Sequence, residues 1–171
     1  MPGRRRIYVG LGGNVGHVAQ AMVAALRLLE ARGMAVASVS PLYRTAPVGG
    51  IAQPDYLNGV AALEADADPA TVLAHLLAVE AELGRNRAQE QRWGPRTLDL
   101  DYLLDEAWPT VEEPDLSLPH PRLWERAFVV VPLADVWPAC PTPDGRALAT
   151  WAEELRRAGG LAEAGRLQLG S

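Results

Sequence analysis

Residues 92–104 read RWGPRTLDLDYLL, and the second half of this stretch has the period of a β-strand. From Thr97 to Tyr102 polar and apolar residues alternate, which is typical of a strand with one buried face. Side chains two positions apart on a strand share a face, so Asp99 and Asp101 point the same way. Their Cα atoms are expected about 6.5 Å apart, given the rise per residue of a strand. This spacing allows both carboxylates to bind a hard cation such as Mg²⁺, which prefers oxygen ligands.

Arginines precede this strand. Arg92 and Arg96 stand on either side of a Gly-Pro turn, at the end of an Arg-rich segment that covers residues 85–96. Guanidinium groups beside a carboxylate pair suit a triphosphate–metal complex, because they bind the phosphate oxygens that the metal leaves free. An Asp-x-Asp pair on a strand is more often a solvated face than a metal site. Asp is nevertheless disfavoured in strands, so two on one short strand favour a functional reason.

The composition sets limits on the class of protein. A chain of 171 residues is expected to be one domain, residues 1–171, that buries about 70% of its unfolded surface. Its net charge is −5 and it has no long basic run, which argues against a nucleic-acid surface. All 16 basic residues are Arg. Cys140 is the single cysteine, so no internal disulfide can form and a cytoplasmic location is predicted. No apolar run approaches the length of a membrane helix.

The order of the predicted elements indicates the fold class. Hydrophobic periodicity predicts strands at residues 6–11, 36–43, 55–63 and 98–104, with helices at 17–32 and 69–83. This βαββαβ order is that of the ferredoxin-like α+β fold, with an antiparallel sheet, and later residues form C-terminal additions. Among these additions we expect an exposed loop at 106–115 and a strand or buried core segment at 128–131. A helix is expected at 148–157, followed by a frayed tail over residues 159–171.

Two other segments could bind ligands. The glycine-rich turn at residues 10–16 follows a strand, but Val15 stands where a dinucleotide-binding motif needs its third glycine. A tight strand-to-helix turn is therefore favoured there. In the strand at 55–63, Tyr56 and Asn58 share a face and could cradle a planar heterocycle, through ring stacking and an amide that both donates and accepts. A tyrosine on a strand is, on its own, more often a packing residue.

Several motifs, in the same order along the chain, resemble the 6-hydroxymethyl-7,8-dihydropterin pyrophosphokinase family. They are YRTAP at residues 43–47, QPDYLN at 53–58, LGRNR at 83–87, RWGPRTLDLD at 92–101, PH at 119–120 and RAF at 126–128. The resemblance implies transfer of pyrophosphate from ATP to the hydroxymethyl group of a reduced pterin, with release of AMP. It also implies two Mg²⁺ ions and a monomer without nucleic-acid or membrane partners.

The same resemblance assigns roles to residues. Catalysis falls to Arg87, Arg92, Asp99 and Asp101, of which Asp99 and Asp101 hold the metal. ATP is expected to contact Arg87, Arg92, Arg96, Tyr102, His120 and Arg126. The pterin is expected to contact Thr45, Pro47, Val48, Tyr56, Asn58 and Phe128. Glu80 also matches an active-site position of the family. The chain departs from the family pattern on the nucleotide side, where Leu77 replaces a Gln and Pro121 an aromatic residue.

Two other classes of protein remain open from the residues alone. A nucleotidyltransferase-type enzyme also uses an Asp pair on a ferredoxin-like sheet, but it attacks the α-phosphate and releases pyrophosphate. A regulatory module that binds metal or nucleotide would bind ATP without turnover. Neither class requires the matches at Tyr56, Asn58, Arg126 and Phe128.

Overall fold

The fold is built around one antiparallel sheet. The computed structural model describes residues 3–47, 52–84 and 98–169. Its elements are β1 (Arg5–Gly13), α1 (Val18–Ala31), β2 (Ala35–Val39), β3 (Tyr43–Thr45), β4 (Tyr56–Ala65), α2 (Pro69–Glu82), β5 (Asp99–Asp105), β6 (Val111–Glu113), β7 (Leu116–Leu118), a 3-10 helix (Leu123–Glu125), α3 (Ala127–Val136), α4 (Leu148–Ala158) and β8 (Ala162–Glu163). The main sheet has the strand order β5-β1-β4-β3-β8, and β2 pairs with β4 beside β3.

This topology confirms the ferredoxin-like fold class. The first and last strands of the βαββαβ unit, β1 and β5, lie side by side, and β1 also pairs with β4. The segment 36–43, expected as one strand, is divided into β2 and β3, which both pair with β4. The two crossover helices, α1 and α2, contact each other and pack on one face of the sheet.

Local sequence signals explain the two crossover helices. The side chain of Asp68 accepts a hydrogen bond from Thr71 N at 2.8 Å, so it caps α2 directly before Pro69. In α1 the predicted apolar stripe is buried, from Val18 to Leu29. In α2 the stripe is narrower than the sequence suggests, because Leu77 is 44% exposed.

The sheet separates two hydrophobic cores. On the α1/α2 face, Ile7, Val9 and Leu63 are buried against the two crossover helices. On the opposite face, Tyr8 and Val60 are buried against α3 and α4, and we call this the α3/α4 face. Both faces of the sheet are therefore covered.

The C-terminal additions are more regular than the sequence indicates. The segment 106–115, expected as a loop, contains β6, which forms a hairpin with β7. Residues 128–131, expected as a strand or buried core, belong to helix α3. Three consecutive valines favour a strand by propensity, but a segment that is apolar on all sides can be a buried helix. Here Val129, Val130 and Val131 are all buried.

The tail also differs from the frayed end that was expected. Strand β8 pairs with β3, and Leu42 exchanges main-chain hydrogen bonds with Ala164 and Gly165 at 2.7 Å each. Leu167 and Leu169 then pack against the core of the α1/α2 face. Main-chain pairing orders this segment, and such pairing leaves little periodic signal in a sequence. Among the helices that the structure describes, none is both long and apolar enough to span a bilayer.

Candidate active site

The register between β1 and β5 places the two predicted metal ligands opposite glycines. Asp99 faces Gly12 and Asp101 faces Gly10. A Cβ atom built on Gly10 would lie 3.5 Å from the Cβ of Asp101, so the two residues share a face of the sheet. Both aspartates are partly buried, on the α3/α4 face. Because neither glycine has a side chain, Leu103 can lie over Gly10 and Asn58 over Gly12, beside the two aspartates.

The donor set of this pair fits Mg²⁺. Two carboxylates supply hard oxygen ligands, and Mg²⁺ in proteins is usually held by one or two carboxylates together with substrate phosphates and water. In the described ranges, which exclude residues 85–97, no cluster of three or more His, Cys, Asp or Glu side chains could hold a metal. Two carboxylates leave the remaining positions of an octahedral Mg²⁺ ion to other oxygen ligands, such as phosphates and water.

Asn58 lies in the same cross-strand row as Asp99. Asp99 faces Gly12 on β1, Gly12 faces Asn58 on β4, and Asn58 faces Tyr43 on β3. Two strand spacings separate Asn58 from Asp99, which is about 10 Å between main chains. Asn58 is 6% exposed, and its Nδ2 donates a hydrogen bond to Thr45 Oγ1 at 3.0 Å. The predicted heterocycle site and the predicted metal site are thus neighbours.

Tyr56 and Phe128 approach this row from two elements. Tyr56 is paired with Thr45 and precedes Asn58 by two residues, so it shares the α3/α4 face. Phe128 lies in the first turn of α3, which packs on β4. The guanidinium of Arg126 lies 5.7 Å from the centre of the Phe128 ring. The structure therefore brings the two predicted stacking residues and one predicted ATP contact to one face of the sheet.

His120 is fixed beside β5. Its main-chain N–H donates to Leu103 O at 2.9 Å, and its ring Nδ1 accepts from Arg122 N at 3.2 Å. Burial lowers the pKa of His120 below its ordinary value of 6.5, and the positive charges of Arg126 and Arg122 lower it further. With Nδ1 as an acceptor, the neutral ring carries its proton on Nε2, where it can donate to a phosphate oxygen.

Tyr102 is separated from these residues, which does not support its predicted contact with ATP. The alternation of β5 places it on the α1/α2 face, where it is 4% exposed. Its hydroxyl donates to Asp105 Oδ2 at 2.5 Å. The same oxygen accepts from Arg5 at 2.7 Å, and Asp105 Oδ1 accepts from Ala107 N at 2.9 Å. Tyr102 belongs to this buried hydrogen-bond network and not to the group around Asp99.

The network also sets the charge of Asp105. Burial alone would raise its pKa, but hydrogen bonds from Arg5, Tyr102 and Ala107 N outweigh burial and lower the pKa below 3.8. The buried Arg5 guanidinium thus faces an ionised carboxylate, which joins the start of β1 to the end of β5. This pair stabilises the far end of the strand that carries Asp99 and Asp101.

Two residues of the site carry contacts that residue patterns alone did not assign. Asn14, in the glycine-rich turn, donates from Nδ2 to Gln53 Oε1 at 2.8 Å and to Pro54 O at 2.9 Å. It thereby joins the turn after β1 to the segment that leads into Tyr56. Glu80, 3% exposed on α2, accepts from Leu100 N at 2.8 Å through Oε2. An Asn among glycines and a Glu within an apolar helix are the only sequence signals for these roles.

Of the remaining predicted site residues, one lies within the described residues and four lie outside them. Pro47 follows β3 directly and is partly buried, next to Thr45. Val48, Arg87, Arg92 and Arg96 lie outside the described residues. The predictions made for those four positions therefore stay predictions.

A comparison with known families decides the relationship. The sequence model described as "7,8-dihydro-6-hydroxymethylpterin-pyrophosphokinase (HPPK)" matches residues 8–138. The chain belongs to the HPPK family. The matched range includes Asp99, Asp101, His120 and Phe128, whereas α4 and β8 lie beyond it.

Individual HPPK relatives agree with the family match. The chain is 45% identical over 148 residues to the 2-amino-4-hydroxy-6-hydroxymethyldihydropteridine pyrophosphokinase of Pseudomonas aeruginosa, covering 84% of this chain and 88% of the relative. It is 40% identical over 130 residues to the enzyme of the same name from Bacillus subtilis, covering 75% and 76%. A solved HPPK-DHPS in complex with substrates has a TM-score of 0.68 at 10% identity. That alignment covers 92% of this chain and 44% of the solved chain, and it supports the fold.

Proposed function

We propose that the chain transfers the pyrophosphoryl group of Mg-ATP to the hydroxymethyl group of 6-hydroxymethyl-7,8-dihydropterin. The products are the pterin diphosphate and AMP, and the reaction is a step of folate biosynthesis. The observation that carries the proposal is the single row formed by Asp99, Gly12 and Asn58. It sets a pair of carboxylates beside an amide-lined site in a member of the HPPK family.

The reaction does not need a protein nucleophile. The hydroxymethyl oxygen of the pterin forms a bond to the β-phosphorus, and the bond from that phosphorus to the α–β bridging oxygen breaks. AMP leaves with the bridging oxygen, and the hydroxyl proton is released. The protein therefore contributes mainly by aligning the two substrates and by neutralising phosphate charge.

Each group of residues has a part in this scheme. Asp99 and Asp101 would hold Mg²⁺, and when bound the ion neutralises charge on the phosphates. Two ions are the predicted number. His120 would donate from Nε2 to a phosphate oxygen, and Arg126 would add positive charge at the start of α3. Arg87, Arg92 and Arg96 are proposed to contact the triphosphate.

The pterin would lie between the rings of Tyr56 and Phe128. Asn58 and Thr45 already share a hydrogen bond of 3.0 Å, so the amide is oriented before a ligand binds. A preoriented amide can match the donors and acceptors at the edge of a pterin without the cost of ordering a side chain. Pro47 and the main chain of Val48 would complete this edge.

The decisive experiment is an assay with ATP, Mg²⁺ and 6-hydroxymethyl-7,8-dihydropterin in which AMP and the pterin diphosphate are measured together. Equal amounts of the two products support the proposal. Release of pyrophosphate would instead indicate a nucleotidyltransferase. Saturable ATP binding without turnover of the pterin would indicate a regulatory module. The single-domain extent, the monomeric state and the cytoplasmic location stay predictions.

A further inference from the structure

Glu80 is a buried carboxylate that contacts the main chain of β5. It lies on α2, is 3% exposed, and accepts from Leu100 N at 2.8 Å through Oε2. Leu100 is the residue between Asp99 and Asp101, and its side chain is 5% exposed. The bond therefore reaches the Asp99–Leu100 peptide group, between the two aspartates.

The position of β5 in the sheet explains why this contact matters. The strand order begins with β5, so within the part of the chain that the structure describes, the amides that point away from β1 face no other strand. In an antiparallel ladder, residue pairs that exchange hydrogen bonds alternate with pairs that do not. Since the Leu100 amide turns to Glu80, the pair Leu11–Leu100 is one that does not exchange bonds.

The same alternation assigns the neighbouring pairs. Gly12–Asp99 and Gly10–Asp101 are then the pairs that exchange main-chain bonds across β1 and β5. Strand β1 thus holds the peptide groups of the two aspartates from one side. Glu80 holds the N–H of Leu100 from the other side.

We propose that Glu80 is a positioning residue for the cation site of Asp99 and Asp101. It fixes the peptide group of Leu100 and thereby keeps both carboxylates at the spacing and direction that one site requires. This inference rests on the proposed function, because it takes the aspartate pair as the metal site. Glu80 acts through the hydrogen bond to the amide and not through the attraction of its charge for the cation.

The choice of a carboxylate has a physical reason. Burying a charged group is costly unless it is hydrogen-bonded, and a bond from an amide N–H to a carboxylate is shorter and stronger than a neutral one. Such a bond holds an edge strand more firmly than water would. Removing a group that orients metal ligands typically reduces metal affinity about 10-fold to 100-fold.

Two substitutions of Glu80 distinguish the effect of side-chain length from the effect of charge. Glu80→Gln keeps the length of the side chain and an acceptor oxygen but removes the charge. Glu80→Asp keeps the charge but shortens the side chain by one methylene, so the carboxylate no longer reaches the amide. Glu82→Gln and Glu82→Asp are matched controls on the same helix, because Glu82 is exposed and pairs with Arg32.

Two measurements detect the effect of each substitution on the strand and on Mg²⁺ binding without an activity assay. The first is amide hydrogen exchange at Leu100, followed by NMR in the metal-free protein. The second is calorimetric titration of Mg²⁺ into each folded variant with α,β-methylene-ATP. For Glu80→Asp we expect faster exchange at Leu100 and an affinity for Mg²⁺ lower by about tenfold or more. For Glu80→Gln we expect protection to persist and the affinity to stay within about threefold of the parent.

The other outcomes would overturn the inference. A larger loss of affinity in Glu80→Gln than in Glu80→Asp would assign the effect to charge. Equal losses would show that the bond to the amide is not what the site needs, and unchanged affinity in both would show that the bond is dispensable. Failure of the proposed function has a different signature, since the parent protein would then not bind Mg²⁺ with the analogue or would bind it unchanged after Asp99→Asn.

Discussion

The side chain of Asn58 occupies the space that a side chain on Gly12 would need. A Cβ atom built on Gly12 would lie 3.1 Å from Asn58 Oδ1, closer than most Cβ contacts. The amide cannot move aside freely, because its Nδ2 is bound to Thr45 Oγ1 and the residue is 6% exposed. The glycine at this position therefore leaves room for the amide that faces the proposed pterin site.

Gly12→Ala should weaken pterin binding. Displacing a packed group by one methyl typically costs about 1–3 kcal/mol, and here the displaced group is the recognition amide. Fluorescence titration with the pterin, alongside denaturant unfolding, measures the two effects separately. Gly10→Ala is the matched control on the same strand, because its Cβ would make ordinary contacts of 3.5 Å and longer. Equal pterin affinity in Gly12→Ala and Gly10→Ala would contradict the assigned orientation of Asn58.

Replacing either Asp99 or Asp101 by Asn should abolish most turnover while leaving the fold intact. The substitution removes one negative charge from the cation site at nearly constant volume. Loss of metal-held phosphate charge removes several kcal/mol of transition-state stabilisation, so turnover should fall by roughly 10³-fold or more. Steady-state kinetics over a range of Mg²⁺ concentrations, with circular dichroism for the fold, make the measurement. A double variant with near-native turnover at ordinary Mg²⁺ would refute the metal assignment.

Tyr56→Ala and Phe128→Ala should each weaken pterin binding by about 1–3 kcal/mol, with little change in ATP affinity. Both rings are only partly buried, so part of each ring surface can contact a ligand. Titrations with pterin and with ATP, beside thermal unfolding of the same variants, test this. A large loss of thermal stability with unchanged pterin affinity would mean that the rings are ordinary packing residues.

His120 should titrate below its ordinary pKa of 6.5 in the ligand-free protein, because burial and two nearby arginines disfavour the charged ring. Protonation then favours the unfolded state. The stabilising contribution of the neutral ring is present above 6.5 and is lost as the pH falls through the lower pKa of the folded state. An NMR titration of the ring protons gives the pKa directly.

The effect of His120 on stability can be checked in the same range. The free energy of unfolding of the parent, relative to that of His120→Gln, should decrease between pH 7 and pH 5 (about the range in which a histidine titrates). His17→Gln is a control at an exposed position. A ring that titrates above 6.5 without ligand would contradict the electrostatics inferred for this part of the site.

Much of the fold follows from short-range patterns. The alternation around Asp99 and Asp101, the capping by Asp68 and the apolar stripe of α1 depend on residues within one element, so the sequence predicts them. Helix α3 and the pairing of β8 with β3 were not predicted, because burial between α4 and the sheet and a main-chain partner far along the chain determine them.

The candidate site divides in the same way. The shared face of the two aspartates is a property of one strand and is visible in the sequence. The row that adds Gly12 and Asn58 depends on register across three strands, which no single segment encodes. The face on which Tyr102 lies could also have been predicted from the sequence. The period-two rule that joins Asp99 to Asp101 also places Tyr102 on the opposite face.

Tyr102→Phe should therefore reduce stability and leave ATP binding unchanged. The substitution removes the hydroxyl that donates to Asp105 Oδ2 at 2.5 Å, and hydrogen bonds to charged groups contribute about 1.5–3 kcal/mol. Denaturant unfolding gives the change in the free energy of unfolding, and titration with α,β-methylene-ATP gives the affinity. A clear loss of affinity at native stability would instead support Tyr102 as an ATP contact.

Asp105→Asn is the partner experiment for the same network. It leaves the buried Arg5 guanidinium without its carboxylate, and breaking a buried pair in this way typically costs about 3–5 kcal/mol. Because the pKa of Asp105 is lowered in the folded protein, its contribution is present above 3.8 and is lost as the pH falls through the folded pKa. The difference in unfolding free energy between the parent and Asp105→Asn should accordingly be constant near neutral pH and shrink in acid. A difference that does not change down to about pH 2, below the ordinary range of a carboxyl pKa, would mean that ionisation of Asp105 is not what holds β1 to the end of β5.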